Sequence, residues 1–296
     1  MSLRGTLKTL RSSQPFNFVA TSVTRAVLQS LGRESETCVR HLHRVGDVTS
    51  KLPNGRVLRL RSRGDDWVSN QVFWRGWNGY DPETAPIFFR LAQSAHTIFD
   101  VGSYVGYYTL LGAHANPAAQ VFAFEPLPAV FRRLERHVAL NGLTNVRCTQ
   151  AAVGETRGEA DFYHGDVELP TSSSLSEEFM RSADVVRVSR VPILALDDFI
   201  EENQIERLDL MKVDTESTEP QVLRGMMRTL RRDSPVILCE VLKDRGSEAA
   251  LEEILGGLGY RFYLLTPDGP VAQLHVVGHP EWYNYLFVPA GREGIV

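Results

Sequence analysis

The stretch Thr97 to Leu111 reads TIFDVGSYVGYYTLL, an apolar run that meets Asp100, passes Gly102 and Gly106, and enters a second apolar run of helical length. A short strand that turns at once into a helix is the repeating unit of a parallel sheet. Comparable units recur along the chain. Strands are predicted near 97–101, 120–124, 145–149, 209–213 and 235–240, and helices near 84–94, 105–115, 128–141, 218–232 and 246–258. Runs such as TIFDV, VFAFE and VILCEV are apolar at every position, or nearly so, which suits strands buried on both faces. The pattern predicts an α/β fold, a doubly wound Rossmann-like sheet with right-handed crossovers.

Two stretches interrupt that alternation. Between the third and fourth core strands lies an insertion, about 158–192, with a hairpin expected around DFYHGD and a polar segment TSSSL. Near the C-terminus, YRFYLLTPDGPVAQL and YNYLFVPA read as two strands, most economically an antiparallel pair at the sheet edge. Ahead of the alternation, residues 1–80 form a separate extension. Phe16, Val19, Val23, Val27 and Leu31 recur at helical spacing, an apolar face expected to dock on the main domain or on a second subunit. Asn54-Gly55 between two partly alternating runs predicts a β-hairpin. The main domain is expected over 81–296.

Composition excludes several functions. With 32 Lys and Arg against 36 Asp and Glu, the net charge of −4 gives no general attraction to nucleic acid or to an anionic membrane. There is no run of about 18 apolar residues to span a bilayer and no cleavable leader pattern, so a cytoplasmic location is expected. The three cysteines, Cys38, Cys148 and Cys239, lack metal-ligand spacing and read as small buried hydrophobes.

In an open α/β sheet, ligands sit beyond the carboxyl ends of the strands, where strand order reverses. The turn after Asp100 therefore marks a site. A phosphate loop would need GxxxxGK, and no lysine is present. A dinucleotide loop would need GxGxxG, but Tyr104 fills the middle position and an acid precedes the glycines. A cationic ligand without phosphate fits better, and S-adenosylmethionine combines a sulfonium, an ammonium and a ribose diol. VFAFEP ends in Glu125 and Pro126, about 25 residues after Asp100, near the spacing of an acid that accepts both ribose hydroxyls. Glu125 alternatively caps the helix that follows.

At these residues the chain resembles the FkbM-type family of S-adenosylmethionine-dependent methyltransferases. The resemblance runs through YDPETAPIFFRL, TIFDVGSYVGYYTLL, FAFEPLPAVFRRLERHVALNGLTNV, AAVGE, SSSL, LDLMKVDTESTEPQVLRGM and VILCEV, about 80–242. It implies a class I methyltransferase fold of seven strands with the last antiparallel, and O-methylation of sugar or polyketide-type hydroxyls. The cofactor residues it implies are Asp100, Gly102, Ser103, Gly106 and Glu125, with Ala151 and Ala152 beside the adenine; Tyr104 and Pro126 complete the candidate set. Two positions depart from the family pattern: Tyr104 stands where Asn is usual, and Ser217 where Gly is usual.

Methyl transfer to oxygen needs alignment of acceptor, methyl and sulfur, and removal of a proton. Lys212, Asp214 and Glu216 alternate at the end of the fourth strand, with Glu240 at the end of the fifth. Asp214 or Glu216 is the candidate base, Lys212 a group that holds or polarises the acceptor, and His164 the second choice as base. The same acids, Asp214, Glu216 and Glu240, alternatively hold Mg²⁺ or Ca²⁺; the primary reading uses no metal. The bland alternatives are a Lys212–Glu216 ion pair and an Asp214 helix cap. His137, His275 and His279 read as structural or as loop residues. Trp74, Trp77 and Tyr80 read as an acceptor platform or as core. The functional expectation is an O-methyltransferase acting on a small hydroxylated acceptor, with no nucleic-acid partner; the competing expectation is a non-catalytic protein that keeps the fold and binds a nucleoside or a partner.

Overall fold

The computed structural model describes residues 14–170, 173–180 and 186–296, which divide into two compact units, Met1–Asp81 and Pro82–Val296. Thr171 and Ser172 of TSSSL, and the start of the N-terminal helical pattern, lie outside the described residues.

The N-terminal unit contains α1 (Gln14–Ser30), α2 (Glu36–His41), the strands β1 (Val45–Lys51) and β2 (Val57–Arg63), and α3 (Trp67–Arg75). β1 and β2 pair antiparallel around the Asn54-Gly55 turn, where Gly55 has a φ of 84°. One face of the hairpin, with Val48, Leu58 and Leu60, is buried together with Val68, Val72 and Phe73 of α3. The Asp66 side chain caps α3 by accepting from the Ser69 N–H at 2.6 Å. Trp74 belongs to this core: it is buried, and its indole N–H donates to the Leu42 carbonyl.

Within the N-terminal unit, α1 turns its polar side inward. Phe16, Val19, Val23, Val27 and Leu31 are each 50–61% exposed, whereas Asn17 and Thr21 are buried. The cause is Arg44, a buried cation that needs acceptors. It finds them on the polar side of α1, donating to the Phe18 carbonyl, the Thr21 hydroxyl and the Ser22 hydroxyl at 2.8–2.9 Å. Asn17 meanwhile donates to the His43 carbonyl and accepts from the Val45 N–H. Satisfying these groups turns the polar face inward and leaves the apolar stripe outside.

The second unit runs α4 (Ala85–Ala92), β3 (Thr97–Val101), α5 (Tyr107–Ala115), β4 (Gln120–Phe124), α6 (Pro128–Leu140), β5 (Val146–Thr149), β6 (Ala152–Val153), β7 (Gly158–Gly165), β8 (Ser173–Ser174), α7 (Glu177–Met180), β9 (Val186–Leu194), α8 (Leu196–Glu202), β10 (Leu210–Val213), α9 (Glu219–Arg224), α10 (Met227–Asp233), β11 (Val236–Glu240), α11 (Glu248–Gly256), β12 (Tyr260–Thr266), β13 (Gly269–Gln273) and β14 (Asn284–Pro289). The main sheet has the order β13-β12-β14-β11-β10-β3-β4-β5. β5, β4, β3, β10 and β11 are mutually parallel, and β14, the last strand in the chain, is antiparallel to both β11 and β12. Cys148 and Cys239 lie in β5 and β11 as expected, half-buried and buried respectively.

Three details differ from the sequence expectation. The sheet has eight strands rather than seven, because TPDG turns YRFYLLTPDGPVAQL back on itself to make β13; Gly269 has a φ of 107° and its carbonyl accepts from the Thr266 hydroxyl. The helix expected over 218–232 is two, interrupted at Gly225-Met226, where the Gly225 carbonyl accepts from the Asp197 N–H instead of continuing the helix and a Cβ at Gly225 would collide with the Gly154 carbonyl. The insertion is more than a hairpin: β6, β9, β7 and β8 form a second sheet of four strands.

The two units differ sharply in charge. Residues 1–81 hold 13 Lys and Arg against 6 Asp and Glu, a net of +7, while 82–296 hold 19 against 30, a net of −11. The whole-chain value of −4 averages over this segregation.

Candidate active site

β3 lies between β10 and β4, so strand order reverses at its carboxyl end, and the loop 102–106 leaves from that point. Backbone hydrogen bonds shape the loop: the Gly102 and Ser103 N–H groups both donate to the Phe124 carbonyl, and the Gly106 N–H donates to the Ser103 carbonyl at 2.8 Å. The Ser103 hydroxyl donates to the Asp100 carbonyl and accepts from the Phe124 N–H, stitching β3 to β4. Both glycines are required by the protein itself. Gly102 (φ 78°) passes so close to the Asp214 carbonyl that a Cβ would collide with it, and a Cβ at Gly106 (φ 92°) would meet Leu134.

Asp100 and Glu125 are buried at adjacent strand ends. The Asp100 carboxylate accepts the Thr109 hydroxyl of α5 at 2.5 Å. Burial pushes its pKa up to about 6, opposed by that hydroxyl and by the Lys212 charge. Glu125 accepts from the Leu127 N–H at 2.8 Å and from the Tyr104 N–H at 3.2 Å, so it caps the start of α6 and holds the loop. Burial raises its pKa to about 8 against the pull of those two amides. Pro126, Ala151 and Ala152 are buried beside these strand ends, after β4 and β5.

The acidic group at the end of β10 stands against the same loop, since the Asp214 N–H donates to the Val101 carbonyl. Lys212 is buried at 1% exposure and its Nζ donates to Asp214 Oδ2 at 3.0 Å and to Asn284 Oδ1 at 3.1 Å, with the Tyr108 ring centroid 5.4 Å away. The Lys212 ion pair is therefore with Asp214 and not with Glu216. After Asp214 the chain turns through two left-handed residues, Glu216 (φ 56°) and Ser217 (φ 81°). Glu219 ties this turn down, accepting from the Thr215 N–H, the Thr215 hydroxyl and the Ser217 N–H at 3.0–3.1 Å. From the second sheet, the Ser174 hydroxyl donates to the Glu216 carbonyl at 2.6 Å. Burial, then the Asp214 and Glu219 charges, raise the Glu216 pKa to about 8, and Arg245 opposes them. Glu240 is pushed well above the carboxylate range by burial and by the Asp214 and Glu216 charges. Its Oε2, like the Ser217 hydroxyl, is buried with no hydrogen-bond partner among the described residues.

Other candidates fall elsewhere. His164 lies on β7, and its two ring nitrogens engage the Gly165 carbonyl and the Ser189 hydroxyl of β9, so its contacts stay inside the second sheet. His137 is fully buried against the Val105 carbonyl, His275 pairs with Glu252, and His279 stacks on Trp282. Trp77 and Tyr80 are half-buried in the N-terminal unit. Among the described residues no group of three or more His, Cys, Asp or Glu is placed to hold a metal ion, so Asp214, Glu216 and Glu240 do not form such a set. Sequence reasoning missed Thr109, Asn284, Glu219 and Ser174. Only Glu219 carried a local signal: it stands four residues after Thr215 at the start of a helix, where an acid satisfies free N–H groups.

Comparison with known proteins places the sequence that builds this site in a family. The model of the methyltransferase FkbM domain matches residues 100–262, which spans the loop, the acidic turn and both strand ends. The chain belongs to the FkbM methyltransferase family, and it is a methyltransferase. Methyltransferase 1 of Beauveria bassiana is 27% identical over 188 residues, covering 58% of this chain and 74% of that one. The 31-O-demethyl-FK506 methyltransferase FkbM of Streptomyces tacrolimicus is 25% identical over 250 residues, covering 75% and 92%. The hexuronic acid methyltransferase AglP of Haloferax volcanii is 24% identical over 147 residues, covering 50% of this chain and 56% of that one.

Proposed function

We propose that this enzyme binds S-adenosylmethionine at the loop 102–106 and methylates a hydroxyl of a sugar-bearing or polyketide-type small molecule. One observation carries the reading: at the reversal of strand order, acids from three adjacent strand ends, Asp100, Glu125 and Asp214, converge on a loop with no lysine or arginine. Such a site offers acceptors for the hydroxyl and ammonium groups of a nucleoside, and its loop has no cation to hold a pyrophosphate. The names of the Streptomyces and Haloferax relatives, one a 31-O-demethyl-FK506 methyltransferase and one a hexuronic acid methyltransferase, support the acceptor class. The three unpaired cysteines are in keeping with a reducing, cytoplasmic setting.

S-adenosylmethionine, when bound, supplies an electrophilic methyl group. Glu125 would accept from the ribose hydroxyls, with Pro126, Ala151 and Ala152 beside the base; Asp100 and Ser103 would hold the loop in register, and the Tyr104 main chain would line it. On the acceptor side, Glu216 is assigned as the base. Its raised pKa of about 8 makes its carboxylate a competent proton acceptor near neutral pH. Asp214 is held by Lys212 and orients the acceptor, and the unpartnered Glu240 Oε2 is a second contact for acceptor hydroxyls.

Titration calorimetry with S-adenosylmethionine and with NAD tests the cofactor, with binding expected for the first alone; silence with S-adenosylmethionine would sink the reading. Asp100→Ala is expected to abolish that binding, while Asp214→Ala keeps it and stops turnover. Transfer of a labelled methyl group to hydroxylated sugars and macrolides, with and without chelator, tests the acceptor class and the metal-free base together.

A further inference from the structure

The face that α1 shows to solvent is built from Phe16, Val19, Val23, Val27 and, just past its end, Leu31, all between 50% and 61% exposed. It is uncharged: between Gln14 and Ser30 the one charged residue is Arg25, which lies over the Phe73 ring on the inner side. A helix normally spends its apolar side on its own core; here Arg44 claims the polar side instead, so the stripe is left over by construction. The unit that carries it has a net charge of +7, no acid before Glu34, and a row of exposed arginines, Arg59, Arg61 and Arg63, on the outer face of β2.

We infer that this stripe docks into the headgroup region of an anionic phospholipid bilayer, so that the N-terminal unit acts as a peripheral membrane anchor. An apolar helix face of one phenylalanine and branched aliphatics gains by burial at the acyl boundary, and each basic residue near an anionic surface adds about 1 kcal/mol. Charge complementarity selects this occupant over a second copy, because the same face on two copies brings two units of +7 together. The charge of −11 on the other unit points the attraction at one end of the chain. No helix among the described residues is long and apolar enough to cross a membrane, so the attachment is to the surface.

The test is co-sedimentation of the full chain with vesicles of phosphatidylcholine alone and of equimolar phosphatidylcholine and phosphatidylglycerol. Pelleting is expected with the anionic vesicles alone, and salt should weaken it. The double substitution Val23→Glu and Val27→Glu alters exposed positions, so the thermal unfolding profile should be unchanged while vesicle affinity falls more than about tenfold. Arg59→Glu with Arg61→Glu should weaken binding with the stripe intact. Equal pelleting of wild type and stripe variant overturns the inference, as does failure to bind anionic vesicles. A dimer in light scattering that the stripe variant abolishes without vesicles would reassign the face to a second copy.

Discussion

Tyr104 and Ser217, the two residues that depart from the family pattern, both sit in left-handed backbone, with φ of 49° and 81°. Asn and Gly tolerate that region and a bulky side chain does not, so the sequence departure and the strain are one fact. Ser217 carries a second cost, a buried hydroxyl without a partner. Ser217→Gly is therefore expected to raise stability by about 1 kcal/mol, after allowing for the greater chain entropy of glycine. Chemical denaturation at neutral pH checks it, and a loss of stability would show that the hydroxyl is satisfied in solution. Tyr104→Asn should relieve backbone strain but release the contact of the Tyr104 hydroxyl with the Leu169 carbonyl at 3.4 Å, so its net change should be small.

Glu125 gives the pH dependence at the same scale. Its folded pKa of about 8 lies above its ordinary value of 4.5, so the folded state holds the proton more tightly. The stability it lends is complete below about pH 4.5 and is lost as pH rises through about 8. Glu125→Gln should flatten the fall in melting temperature between those limits. A wild-type fall that the substitution leaves untouched would show that other groups cause it. Glu216, with its own pKa of about 8, should place the rise of kcat with pH near that value, and Glu216→Gln should remove the rise along with most of the rate.

At the scale of elements, the site depends on strands that meet only in the folded sheet. Lys212 of β10 is satisfied by Asn284 of β14, across the intervening β11, and by Asp214 just beyond the end of its own strand. Asn284→Leu would leave a buried ammonium with one acceptor fewer, and a loss of about 1–3 kcal/mol is expected in chemical denaturation. Because β14 pairs Asn284 with Glu240, the same change should disturb acceptor affinity more than S-adenosylmethionine affinity, which calorimetry and steady-state kinetics separate. The alternation of strands and helices was legible because each all-apolar run announces a strand buried on both faces. The break at Gly225 and the partners of Lys212 were not, since both come from residues distant in sequence.

For the whole molecule, two compact units with separate cores and opposite charge imply that unfolding is not a single step. Calorimetry is expected to show a measured enthalpy larger than the van't Hoff value, and salt should shift the two components differently. Coincident transitions by every probe would contradict this.

The sequence by itself determined the parallel core strands, the loop after Asp100, the position of the acid at Glu125 and the run of charges from Lys212, because local pattern and spacing suffice where a strand must be apolar and a turn must bend. Tertiary structure decided the rest. It spent the Gly102 and Gly106 positions on packing against Asp214 and Leu134, drew Lys212 to Asn284, kept His164 within the second sheet, and turned α1 outward. In each case a buried polar group or a close backbone approach had to be satisfied by a residue far along the chain, which no local pattern records.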